Sequence, residues 1–328
     1  MDKMIEQVYG NIYRTEIPLP ENPLKALNSY IIKGKEKNII VDTGFNREEC
    51  KAAFFESLNK LDVDIKNTEV VITHLHADHS GLASELYQRG AKILMSKGDG
   101  FATKELVDEK NWMEMSLQLK SFGLEVEEDF LDTHPGKIYA PSGDFEFTIL
   151  KEGDQLAVDD YRFDIVSVPG HTPNMINLYE RKHEIYFSAD HVLDPITPNI
   201  GFWGFEYPII LNQYFESLKK IYDYRIQLML PSHRKIIRDH RKRIDELLLH
   251  HEHRLQEIVS ILTEKGRKMT VEDVAKEMSW KIRAKDWNAF PPAQKSFAAG
   301  EAMSHLEYLV YEKRIMMKKE NGLFYFSV

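Results

Sequence analysis

The chain has 328 residues, 43% hydrophobic and 29% charged, the balance of an ordinary globular protein with room for one large domain and a small one. A single cysteine excludes an internal disulfide framework and any multi-cysteine zinc site. The net charge of −9 is uneven: residues 246–328 carry 13 Lys and Arg against 12 Asp and Glu, so about −10 falls on residues 1–245, which argues against general nucleic-acid affinity. No run approaches the roughly 20 apolar residues of a membrane span, and MDKMIEQVYG has no apolar core of signal-peptide length. Together with the cysteine count this points to a cytoplasmic location.

In chain order, NIIVDTG (38–44) reads as an apolar strand ending at Asp42, and NREECKAAFFESLNK (46–60) as a helix holding Cys50 as a structural thiol. The β-branched stretch EVVI (69–72) reads as a buried strand, followed at once by THLHADHSG (73–81). A helix from about His79 to Arg89, capped by Asp78 or Ser80, accounts for one or two of these polar residues but leaves His74 and His76 unexplained. Two apart at a strand end, those histidines can share a side, and Asp78 and His79 return toward the same place. Imidazole and carboxylate are the usual metal-binding pair.

The next region, about 98–124, has Leu106, Met113, Met115, Leu117 and Leu119 near helical spacing. One or two helices here form either a lid, with Trp112 and the methionines facing an apolar substrate, or a plain packed surface pair. FDIVSVPGH (163–171), EIYFSAD (184–190) and IQLMLPSH (226–233) are three further apolar strands, ending at His171, Asp190 and His233. Ligands gather at strand ends and the loops after them in layered α/β folds, and five such endings converge on one chemistry. His74, His76, Asp78, His79, His171, Asp190 and His233 exceed the four ligands of one tetrahedral ion and suit two ions sharing a bridging carboxylate. Asp42 is then the group that orients a ligand imidazole or a bound water. The Pro/Gly-rich loop after Asp190 carries Phe202, Trp203, Phe205 and Tyr207, either a substrate wall or an anchor to the core.

The basic run HRKIIRDHRKR (233–243) reads as the solvated face of a helix or as a receptor for phosphate or carboxylate. From Asp245 a long amphipathic helix stops at Gly266, and His250, His251 and His253 read as its solvated face. Thr270 with Asp273 approximates a capping box, a third helix spans about 294–313, and Asn321-Gly322 signals a terminal hairpin. Three helices and a hairpin look like a winged-helix module over 245–328, behind a main domain of 1–244. With Glu301, Glu307 and Glu312 on its third helix it offers no DNA-reading face, and it reads as a packing and dimerisation module.

THLHADH matches the His-x-His-x-Asp-His signature of the metallo-β-lactamase fold superfamily, and VDTG, PGHTPN, SAD and PSH follow in that superfamily's order. The chain resembles it from residue 10 to about 235, nearest its glyoxalase II-like branch. The resemblance implies an αββα sandwich with the site along one edge. It implies one metal on His74, His76 and His171 and another on Asp78, His79 and His233, with Asp190 bridging. One common class of true β-lactamases has a cysteine where Asp190 stands, so the family name does not set the substrate. The activity expected is hydrolysis of a small-molecule thioester, ester or lactone by a metal-bridging hydroxide, with Asp78 positioning it or relaying a proton. Two divalent ions are expected, zinc first, with iron or manganese compatible with the same donors. The alternatives are an RNA endonuclease on the same dinuclear site and a mononuclear iron persulfide dioxygenase using His74, His171 and Asp190.

Overall fold

The computed structural model describes residues 5–126, 134–281 and 284–328. Met1 to Met4, the start of the stretch read above for a signal peptide, lie outside the described residues. A first sheet of seven strands runs in the order β1 (Ile5–Tyr9), β2 (Ile12–Pro18), β3 (Ala26–Ile32), β4 (Asn38–Val41), β5 (Thr68–Val71), β6 (Lys92–Ser96), β7 (Phe147–Leu150). It is antiparallel up to β4 and parallel from β4 to β7. The second sheet has β12 (Leu228–Pro231), β11 (Ile185–Ala189), β10 (Ile176–Glu180), β9 (Tyr161–Ser167) and β8 (Gln155–Val158), with only β11 and β12 parallel.

Alternation along the strands explains the layering. Ile32, Ile39, Val41 and Val71 face Phe163, Ile165, Leu178 and Phe187 in a core between the two sheets. Their neighbours Ile31, Ile40 and Val70 point the other way, onto Phe54 and Leu58 of α1 (Glu48–Lys60). On the far side of the second sheet, Tyr186 and Met229 meet Tyr214 and Leu218 of α7 (Ile210–Tyr222) and Leu247 and Leu255 of α8 (His240–Lys265). The result is four layers, αββα. Among the described residues no helix is long and apolar enough to cross a membrane.

Several local expectations change. The turn after β5 forms two short helices, α2 (Ala77–Ser80) and α3 (Ala83–Gln88), instead of one over 79–89. Neither Asp78 nor Ser80 is a cap. Asp78 lies inside α2, and the Ser80 hydroxyl donates to the Leu75 and His76 carbonyls. The middle segment forms α4 (Lys97–Glu105) and α5 (Glu109–Ser121), with Leu119 buried but Met113 and Leu117 exposed, and the short α6 (Pro135–Ile138) precedes β7.

The C-terminal part has α8, α9 (Val271–Glu277), α10 (Pro292–Tyr311) and a sheet β13–β15–β14 (Met269–Thr270, Leu323–Ser327, Met316–Glu320). The Thr270–Asp273 capping box is present, Gly266 ends α8 in the left-handed conformation, and Asn321 and Gly322 both have positive φ, which a tight hairpin turn requires. Residue 245 falls within α8, whose N-cap is Asp239, so the helix runs unbroken through that position. One hydrophobic cluster joins Leu119 and Phe122, Val166 and Met229, Leu255, Leu306 and Phe326.

The charged surface expected of the tail is partly interior. Glu307 is buried and the Glu301 side chain is only 12% exposed, so α10 has no acidic face built from them. His251 is fully buried, with its Nδ1 2.9 Å from Nε2 of His305, and is not part of a solvated face. Half of the lysines and arginines in the basic run are occupied in holding the fold, while Lys235, Arg238 and Lys242 are exposed. Arg243 donates to the Leu193 and Ile196 carbonyls, Arg241 to that of Tyr222, and Arg234 to that of Pro23.

Burial pushes the Glu307 carboxyl up to about 7. Between its ordinary range and that value the folded state holds the proton and the unfolded chain has lost it, so stability declines as pH rises across this window. Glu307→Gln removes that cost. Thermal melts are expected to show the variant more stable than wild type at pH 8, with the gap closing by pH 5; a gap that widens toward pH 5 refutes this account.

Candidate metal centre

Five of the strands end on one edge of the sandwich, and the chain there leaves the sheet abruptly. Asp42, after β4, has φ 59°; Ala189, before Asp190, has φ 44°; Arg234, after His233, has φ 67°. Non-glycine residues rarely occupy this left-handed region, and such strain persists where the surroundings enforce it, often at functional sites. Before His171 stands Gly170, where a Cβ would come within 2.7 Å of the Tyr214 ring. Bonds between the sheets hold the turns together: Asn28 N–H donates to the Ser232 carbonyl at 2.7 Å and Ile176 N–H to that of Thr73 at 3.0 Å.

On these turns, seven side chains form three groups whose ligand atoms lie within 4.8 Å of one another: His74, His76 and His171; Asp78, His79 and His233; and His74, His79 and Asp190. In the first, Nδ1 of His76 is 3.1 Å from Nε2 of His74 and 2.9 Å from Nε2 of His171. In the second, an oxygen of Asp78 is 3.3 Å from Nε2 of His233 and 3.7 Å from that of His79. Asp190 stands between them. One oxygen is 3.6 Å from Nε2 of both His79 and His233, and the other 3.6 Å from Nε2 of His171.

The far ring nitrogens decide which lone pairs point inward. Nδ1 of His171 lies 2.8 Å from the Asn199 carbonyl and Nδ1 of His233 2.8 Å from that of Ala26. A carbonyl only accepts, so both Nδ1 atoms carry a proton, and in the neutral ring Nε2 is then the atom that presents the lone pair. His79 donates from Nδ1 to Asp42 at 2.8 Å. The Thr73 hydroxyl donates to Asp42 at 2.9 Å, which leaves its oxygen to accept from Nδ1 of His74 at 3.0 Å. Asp42, fully buried, also takes the Thr73 N–H at 2.9 Å and the Ser232 hydroxyl at 3.0 Å.

Electrostatics divide the cluster in two. Burial holds all three first-group imidazoles low, His76 at about 3 and His74 and His171 below the usual histidine range; neighbouring imidazoles reinforce it at His74, and Asp190 offsets it only in part at His171, so the neutral form, the one that ligates, is favoured. Burial opposes charge on His79 and His233 too, but the carboxylates of Asp42, Asp78 and Asp190 outweigh it at His79, and those of Asp190 and Asp78 outweigh it at His233, so both are raised. For Asp78 burial is outweighed by His79 and His233, and the carboxyl sits at about 2; Asp190 is likewise held low, by His233 and His79. Nε2 of His79, Nε2 of His233 and an oxygen of Asp190 are buried without a hydrogen-bond partner. Orphaned buried polar atoms are costly, and converging lone pairs beside ionised carboxylates are what a divalent cation satisfies. The donor set therefore fits metal.

The five aromatic residues with a possible substrate role separate, and Phe205, half exposed, packs its ring against Phe202 and Phe324. Trp203 stacks on His76 with ring centroids 6.0 Å apart, and its indole N–H donates to the His171 carbonyl at 3.2 Å. Phe202 faces the core against Phe122. Trp112 is buried, its N–H donating to the Leu106 carbonyl and its ring against His134, so it anchors the α4–α5 turn. Tyr207 is exposed near Asp99 and Glu105.

Residues not singled out in the sequence also shape the site. Asp99, pushed up to about 6 by burial, accepts from the Leu75 N–H at 3.2 Å and the Thr172 hydroxyl at 2.6 Å, tying the His74–His76 turn to the His171 turn. An acid in the first turn of a helix is ordinary, so nothing local distinguishes Asp99. Thr73 and Asn199 act by side-chain hydroxyl or backbone carbonyl, which no motif marks.

Fold and site together define a metal-binding αββα protein with its centre at a sheet edge. The family model that matches, Metallo-beta-lactamase superfamily, covers residues 24–233, more than half the chain. The chain belongs to that superfamily. A Caenorhabditis elegans protein described as a beta-lactamase-like protein 2 homolog is 26% identical over 265 residues, 79% of this chain and 74% of its own length. The Haemophilus influenzae hydroxyacylglutathione hydrolase GloC is 30% identical over 166 residues, 50% of this chain and 65% of its own. The crystal structure of a metallo-beta-lactamase family protein from Thermus thermophilus superposes with a TM-score of 0.82 at 24% identity, covering 98% of this chain and 100% of that one. With this family and these relatives, the chain is a metallo-β-lactamase superfamily hydrolase.

Removing the Asp42 carboxylate would leave the Thr73, His79 and Ser232 donors buried and unsatisfied, each costing about 1–3 kcal/mol. Asp42→Ala is expected to lose about 3 kcal/mol or more in urea unfolding; a loss below about 1 kcal/mol would mean that these donors find other partners.

Proposed function

We propose that the protein is a dinuclear metal-dependent hydrolase of a thioester, ester or lactone. The observation that carries this is the pair of ligand clusters with inward lone pairs and the Asp190 carboxylate set between them. His74, His76 and His171 would hold one divalent ion, zinc first, and Asp78, His79 and His233 the other, with Asp190 shared. When bound, such a pair supplies a nucleophilic hydroxide at neutral pH and compensates the charge of a developing oxyanion.

The chain's own residues do the rest. Asp42 orients His79, and the carbonyls of Asn199 and Ala26 orient His171 and His233. Asp78, kept ionised at neutral pH by His79 and His233, would position the attacking water or relay its proton. Trp203 covers His76 on one side and offers an aromatic face to an acyl substrate, with Tyr207 further along the same loop. An S-acyl substrate is favoured among the three because a relative is named for hydroxyacylglutathione. A cytoplasmic setting accords with the single cysteine.

Two sets of measurements test this. Protein purified without chelators is expected to hold close to two ions per chain. Asp190→Ala should lose metal and at least about 100-fold in hydrolysis of S-acyl glutathione or acyl-coenzyme A thioesters; full occupancy with normal turnover in that variant sinks the bridging role. The second is a salt titration of binding to labelled single-stranded RNA. Weak, salt-insensitive binding is expected, since Arg234, Arg241 and Arg243 are engaged with backbone carbonyls. Micromolar binding that falls steeply with salt, accompanied by metal-dependent cleavage, would establish the endonuclease reading instead.

A further inference from the structure

We infer that Glu301 is a positioning residue for the metal centre, acting from the C-terminal helix through Asn199 on His171. The inference rests on the metal-site reading above.

Asn199 belongs to the loop after Asp190, and its carbonyl takes the Nδ1 proton of His171 at 2.8 Å. That bond fixes the tautomer and the ring orientation that leave Nε2 free to ligate. The loop that carries this carbonyl is held by α10. The Asn199 side-chain amide donates to a Glu301 oxygen at 3.0 Å and to the Phe297 carbonyl at 3.3 Å. Further along the loop, the Phe202 N–H donates to the Gly300 carbonyl at 3.0 Å, and the Ser304 hydroxyl donates to the Ile200 carbonyl. The loop is thus bound to one face of α10 at Asn199, Ile200 and Phe202. The next residue is Trp203, whose indole is bonded to the His171 carbonyl.

Glu301 is suited to this role by its own surroundings. It lies within the packed face of α10, and its other oxygen is 3.6 Å from Nε of Arg254 on α8. Arg254 is held in turn by Glu257, by the Ser279 carbonyl and by the Trp280 ring. The carboxylate is therefore placed between Arg254 and Asn199, and the Asn199 amide donates to it. The C-terminal helices become part of the outer support of one ligand through Glu301, which lies 102 residues from Asn199 in sequence.

The test is zinc affinity of the full chain by competition with a chromogenic chelator, supported by the cobalt(II) absorption spectrum. His171→Ala identifies the binding step that uses His171. Glu301→Ala is expected to weaken that step by about 10-fold or more and to alter the cobalt spectrum, while leaving the other step unchanged. Glu301→Gln, whose amide oxygen still accepts from Asn199, should restore both. If Glu301→Ala does not fold, Asn199→Ala removes the same link from the loop side and should reproduce the weakened step. A folded Glu301→Ala or Asn199→Ala with wild-type affinity at both steps overturns the inference and leaves the metal centre standing, as does a Gln variant that behaves like Ala. Wild-type protein that binds no zinc, or a His171→Ala variant that binds as wild type does, overturns the metal reading and this inference with it.

Discussion

The buried carboxylate of Asp42 holds this architecture together at its working edge. A fully buried charge costs several kcal/mol unless its oxygens are saturated by donors. Here the donors come from Thr73 after β5, Ser232 after β12 and His79 in α2. One charge thus requires the first sheet, the second sheet and the short helix between them to meet at a single point. The turns that carry the histidine and aspartate cluster leave the sheets beside this point, with left-handed residues at Asp42, Ala189 and Arg234.

Around this point the fold concentrates groups that would rather not be neighbours. Imidazoles of His74, His76 and His171 crowd one side and stay neutral, while those of His79 and His233 share the other with two carboxylates. The outer nitrogens of His74, His79, His171 and His233 are tied to acceptors, which fixes their inner nitrogens toward the centre. Rigidity of this kind is what a catalytic centre needs and what an ordinary polar core avoids.

The C-terminal helices are bound into this arrangement by apolar burial and by specific hydrogen bonds. A hydrophobic cluster runs without a break from α5 across the second sheet to α10 and β15. At the loop 199–203 it is joined by the Asn199, Ile200 and Phe202 bonds to α10. Charges that look like surface in the sequence are spent here: Arg254 and Glu301 as a pair largely shielded from solvent, Arg243 as a clamp on the loop after Asp190.

The sequence by itself determined the strands and the chemistry at their ends. Apolar runs such as NIIVDTG and EIYFSAD need only period and residue type to be read, and a His or Asp at the stop is visible without knowing its neighbours. The hairpin at Asn321-Gly322 and the Thr270 capping box were equally legible, because turn and cap chemistry act over a few residues. Only the tertiary structure decided that α2 and α3 are separate, that Trp112 anchors a turn while Trp203 meets His76, and that Glu301, Glu307 and His251 face inward. The same holds for Asp99 and for the Asn199 carbonyl. A helix's periodicity shows which residues share a face but not what that face meets. A backbone carbonyl carries no signature of the imidazole it will receive, because both are set by contacts between segments far apart in the chain.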